Sequence, residues 1–63
     1  MLLLTLEEDN IEYSVNTDIN KFVISSLNST ERFTIDLQDI KKIFDYTVPR
    51  HHKHIKKLLF EAM

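Results

Sequence analysis

The chain has no cysteine and no glycine. Without cysteine there can be no disulfide and no thiolate-bound metal. The lack also fits a reducing compartment. Average glycine usage is about 7%, so its complete absence carries information. Glycine-rich phosphate loops need residues without Cβ, so that the backbone can approach the phosphate. A P-loop, a dinucleotide fingerprint and a glycine-flanked nucleophile elbow are therefore excluded. Turns have to be built from Asn, Asp and Ser, which tolerate left-handed backbone or bond to it.

Long apolar runs are also missing. No stretch approaches the roughly 18 residues of a membrane span. The opening run around Leu2, Leu3 and Leu4 is too short for a secretory core and is followed at once by Glu7, Glu8 and Asp9. The expectation is a soluble, cytoplasmic protein with no membrane partner. Its 63 residues make one domain at most. A chain this short buries roughly 60% of the surface its unfolded form exposes. Folds of this size usually need a staple. With disulfides excluded, a second copy or a partner protein is the expected support, and a homodimer is expected.

What is present is a divided charge. Residues 1–40 hold eight acids and two bases, a net −6. Residues 41–63 hold six bases and two acids, a net +4, together with His51, His52 and His54. The whole chain carries −2. Oppositely charged ends on so short a chain point to contacts with another molecule rather than to catalysis.

The hydrophobic pattern predicts strands first and helices last. Leu2, Leu4 and Leu6 alternate with Leu3, Thr5 and Glu7, giving a strand over residues 2–7. Glu8, Asp9 and Asn10 form a turn. Ile11, Tyr13 and Val15 alternate with polar residues, giving a second, half-buried strand. Residues 19–27 fit two patterns. Ile19, Phe22, Val23 and Leu27 fall on a helical stripe, but Phe22-Val23-Ile24-Ser25-Ser26 is rich in strand formers. A second hairpin with the strand of Phe33 and Ile35, turning at Asn28-Ser29-Thr30, accounts for both segments.

Asp36 then reads as a helix N-cap, with Asp39 three residues on. Leu37, Ile40 and Phe44 fall on one face of that helix, with Ile43 beside them. The helix is predicted to end near Tyr46. Thr47 is placed to cap a second helix with Pro49 in its first turn. In that helix Ile55, Leu58, Leu59 and Ala62 form the apolar stripe. Arg50, Lys53, His54, Lys57 and Glu61 face the other way. The expected fold is α+β: an antiparallel sheet of about four strands in two hairpins, then two C-terminal helices packed on one face.

The run Arg50-His51-His52-Lys53-His54 is the sharpest functional signal. It opens a helix, where the macrodipole already places about half a positive charge. Cations there work against stability, but they attract an anionic partner. Arg50, His51, Lys53, His54 and Lys57 are therefore the candidate partner-binding residues. Their structural alternative is pairing of Arg50 and Lys53 with the chain's own Asp36, Asp39 or Asp45. Two helices across a short turn also resemble a helix-turn-helix, so nucleic acid is the second candidate partner. The negative net charge counts against it.

His51 and His54 lie at i and i+3 and can share a helix face, with His52 about 100° away from His51. A metal site would need a carboxylate from the sheet to complete it. No metal or cofactor is expected. Ser25, Ser26 and Ser29 offer hydroxyls, but no spacing links them to a histidine, so no catalytic residue is assigned. The acids Glu7, Glu8, Asp9 and Glu12 gather at a hairpin tip and are expected to be solvated there.

In size and composition the chain resembles the small proteins with which phages and mobile elements block or redirect host machinery. The resemblance implies a non-enzymatic regulator that binds a macromolecule and modulates or inhibits it.

Overall fold

A computed structural model describes residues 3–62. Strands β1 (Leu3–Glu8), β2 (Ile11–Asn16), β3 (Lys21–Ser26) and β4 (Arg32–Asp36) form one antiparallel meander in the order β1-β2-β3-β4. A short helix α1 (Ile40–Asp45), a 3₁₀ turn (Pro49–His51) and helix α2 (His52–Ala62) follow. The strand start expected at Leu2 lies outside the described residues.

The first turn is tighter than expected. Glu8 belongs to β1, and only Asp9 and Asn10 connect it to β2. Both have positive φ, 53° and 65°. That is the handedness a two-residue hairpin loop requires, and Asn and Asp tolerate it without glycine. Asn20, at φ 58°, does the same before β3. The ambiguous segment is a strand. Phe22 and Ile24 face the core, while Ile19 and Leu27 flank β3 and are exposed.

Register puts two apolar rows on the inner face. One row is Leu4, Val15, Phe22 and Ile35; the other is Leu6, Tyr13, Ile24 and Phe33. Ile43 from α1 and Ile55, Leu58 and Leu59 from α2 close over them. The opposite face has no helix on it and carries Leu3, Thr5, Ser14 and Val23 among polar neighbours.

The helical half departs from expectation. Asp36 remains in β4, opposite Lys21, and forms an ion pair with it. Capping falls to Asp39, whose carboxylate accepts the Lys42 N–H at 3.3 Å. Leu37 is buried without being helical. The six residues of α1 stop before Val48, which is extended at φ −67° and ψ 128°. A residue preceding proline is pushed out of helical conformation, which keeps Val48 extended; α1 itself ends close to the expected Tyr46, its C-cap, and is short because it starts only at Ile40. Thr47 does not cap α2. Its hydroxyl donates to the Phe44 carbonyl at 3.4 Å, closing α1 instead. The expected pair of helices is thus one eleven-residue helix preceded by short helical turns.

Candidate functional site

The acidic hairpin and the basic start of α2 meet. Glu8 falls on the inner face by the same alternation that directs Leu4 and Leu6 there. The left-handed turn then carries Asp9 over the end of the sheet. From the other side Pro49 opens the 3₁₀ turn, and the His51 N–H bonds to the Val48 carbonyl at 2.8 Å. This tucks the His51 ring beneath the hairpin, where it is 0% exposed.

His51 is bonded at both ring nitrogens. Nδ1 lies 2.7 Å from the hydroxyl of Tyr13, itself buried on β2. Nε2 lies 2.6 Å from Oδ2 of Asp9. Arg50 adds Nε at 2.9 Å and Nη2 at 2.8 Å to the same oxygen. His54 reaches Oε1 of Glu8 at 2.6 Å, while Oε2 of Glu8 lies 3.6 Å from Nε2 of His51. The two rings of Tyr13 and His51 meet edge to face, with centroids 5.7 Å apart. No buried side-chain nitrogen or oxygen among the described residues lacks a hydrogen-bond partner.

Hydrogen bonds from His51 and then Arg50 hold the Asp9 carboxyl below the usual carboxylate range. An ionised Asp9 accepts from Nε2–H, and in the neutral ring Nδ1 then accepts from the Tyr13 hydroxyl. Burial pushes the Tyr13 phenol up. The phenol thus stays protonated and able to donate.

Three of the five expected partner-binding residues are therefore engaged within the chain. Arg50, His51 and His54 turn toward Glu8 and Asp9. The intramolecular partners expected for Arg50 and Lys53 are occupied elsewhere. Asp36 holds Lys21, Asp45 holds Lys41 at 3.2 Å, and Asp39 caps α1. Glu8 and Asp9 are not a free acidic tip. His52 turns away, with its ring edge-on to Phe44 at 5.0 Å.

Lys53 and Lys57 lie on the outer face of α2, exposed and without an ion pair among the described residues. The structure adds two residues to them. Lys56 is exposed and equally unpaired among the described residues, and Phe60 is 83% exposed. Lys53, Lys56, Lys57 and Phe60 stand at i, i+3, i+4 and i+7, one helix face. That spacing is local and legible in the sequence.

Glu8, Asp9 and His51 bring possible metal-ligand atoms within 4.8 Å of one another. Asp9 Oδ2 is already bonded to His51 and Arg50, whose guanidinium supplies positive charge beside it, and Glu8 is bonded to His54. At the far end of the sheet a cavity of about 390 Å³ is lined by Val15, Leu37, Ile40, Leu59 and Ala62 with Thr17, Asn20 and Gln38. It contains no titratable side chain. Comparison with protein-family models, curated proteins and solved structures finds no match to this chain.

Proposed function

We propose that this is a non-enzymatic regulatory protein that binds an acidic surface of a macromolecular partner through the outer face of α2 and modulates that partner's activity. The observation behind this reading is the row of Lys53, Lys56 and Lys57 beside Phe60. These three exposed cations form no ion pair among the described residues. An exposed phenylalanine among them loses water only when something covers it. Lysines would steer the encounter, and the aromatic ring would supply desolvated contact. The catalytic reading has less support. The relay of Tyr13, His51 and Asp9 is held by its own bonds, and the cavity of about 390 Å³ is lined by neither acid nor base.

The test uses immobilised wild-type protein and a Lys53→Gln/Lys56→Gln variant in extract of the source cell. Captured proteins are identified and rebound in purified form. Wild type should retain a partner that the variant loses, with binding that weakens as salt rises. Equal capture by both would overturn the proposal. Loss of capture after nuclease treatment would point to nucleic acid instead, whose binding falls steeply with salt.

A further inference from the structure

We propose that two copies of this chain pair through strand β1, edge to edge and antiparallel about a twofold axis at Thr5, to make one continuous eight-stranded sheet. β1 is an outer strand of the meander, paired on one side only. Outer strands are normally protected by lysine, proline, a bulge or a covering element. β1 reads Leu-Leu-Thr-Leu-Glu-Glu with an unbroken register, so it has no lysine, proline or bulge.

The hairpin determines which backbone groups are free. With a two-residue loop, Glu8 and Ile11 form the hydrogen-bonded closing pair. Bonded and non-bonded pairs then alternate along the strand. Leu4, Leu6 and Glu8 bond to β2, while Leu3, Thr5 and Glu7 direct their N–H and C=O to the open edge. An antiparallel mate must keep inner residues opposite inner residues. Centring the axis on Thr5 satisfies both conditions. Thr5 bonds the partner's Thr5, and Leu3 bonds the partner's Glu7. On the inner face Leu4 meets the partner's Leu6, which extends the apolar row. On the outer face the two threonines are opposed, a favourable cross-strand pair. No like charges face each other across the seam.

The surface above this edge is self-complementary. A groove of about 250 Å³ wraps the edge of β1 and is lined by Thr5, Leu6, His54, Lys57, Leu58 and Glu61. His54 lies by Glu8 at one end of β1, so α2 runs antiparallel to that strand. The twofold axis therefore sets Lys57 against the partner's Glu61 and Glu61 against the partner's Lys57. Lys53, Lys56 and Phe60 lie farther round α2 and stay in solvent. Self-association was expected from the small core and the lack of a staple; the edge geometry supplies its face, and Lys57 belongs to that face, leaving Lys53, Lys56 and Phe60 for the regulatory reading above.

The mass of the full chain is measured by light scattering at about 100 µM, well above the micromolar range of many specific contacts. A dimer is expected, at twice the 7.5 kDa of the chain. Amide exchange should show Thr5 and Glu7 protected in the dimer. Thr5→Pro removes an N–H that β2 does not use. It should leave the sheet intact by circular dichroism and weaken the dimer at least about tenfold, since two symmetry-related hydrogen bonds are lost.

A second arm does not depend on how proline is tolerated. Lys57→Glu and Glu61→Lys should each weaken self-association. Mixed together, the two variants should form a heterodimer beyond the statistical fraction by native mass spectrometry. A rescue between chains cannot arise from contacts within one helix. A monomeric wild type, rapid exchange of Thr5 and Glu7 in the dimer, a folded Thr5→Pro variant that dimerises as well as wild type, or absence of the heterodimer would each overturn the proposal.

Discussion

The hydroxyl of Tyr13 lies 2.7 Å from Nδ1 of His51, a residue 38 positions away in sequence and completely buried. This bond joins the centre of the sheet to the start of α2, and through Asp9 it reaches the hairpin tip. A polar network in so small a core stabilises only if every member is satisfied. Tyr13→Phe keeps the ring and leaves Nδ1 without its partner. Urea unfolding should show a loss of about 1–3 kcal/mol with an unchanged slope, the cost of one buried unsatisfied group.

The same tyrosine predicts alkaline behaviour. Burial raises its pKa, so the folded chain holds the phenolic proton more tightly than the unfolded chain does. That contribution is complete below the unfolded value of about 10 and is lost as pH rises through the higher folded value. Wild-type stability measured across this window should fall more steeply than that of Tyr13→Phe. Parallel curves would show that Tyr13 titrates alike in both states.

Acid acts on the other end of the network. Bonds from His51 and Arg50 lower the pKa of Asp9, and the bond from Lys21 lowers that of Asp36. A lowered carboxylate stabilises the fold above its unfolded value of about 3.9. The contribution fades as pH falls through the lower folded value. Melting temperature should therefore decline below about pH 4. Asp9→Asn and Asp36→Asn should each start lower and decline less.

Arg50 and the lysine row should behave differently. Replacing Lys53 and Lys56 with Gln should change stability by no more than about 0.5 kcal/mol, as expected for solvated positions. Arg50→Gln removes a two-nitrogen contact to Asp9 and should cost a small but measurable amount, because both groups are partly exposed. Chemical denaturation of the two variants separates anchoring charge from free charge. An Arg50 variant as stable as wild type would mean that His51 alone holds Asp9.

The hairpin turn offers a backbone test. Asn10 has φ 65°, which a β-branched residue adopts only with strain. Asn10→Val should cost about 1–2 kcal/mol, while Asn10→Gly should be neutral or stabilising. Thermal melts that rank the two variants in the opposite order would contradict the assigned turn.

The sheet was legible in the sequence because strand periodicity is local. Alternation from Leu4 to Val15 sets which side chains face inward, and Asp9-Asn10 suits the turn between them. The apolar stripe of Ile55, Leu58 and Leu59 was equally local and is buried as its spacing implies. Residues 19–27 were less clear, since one set of side chains satisfied two periods. Pairing of Phe22 with Val15 and Ile35 resolves them as a strand, and that pairing is a property of the neighbours. The end of α1 near Tyr46 and the place of Pro49 in the first turn after it were local signals as well, and both hold.

The charge division was also plain in the composition, but its meaning was not. The expected partners of Arg50 and Lys53 within the chain were Asp36, Asp39 and Asp45. Instead α2 returns across the sheet to β1, bringing Arg50, His51 and His54 onto Asp9 and Glu8 from more than 40 residues away. The sequence by itself determined the strands, the faces and the presence of two charged ends. Only the tertiary structure decided which charges meet each other and which remain for a partner, because ion pairs between distant segments depend on chain topology and leave no periodic trace in the sequence.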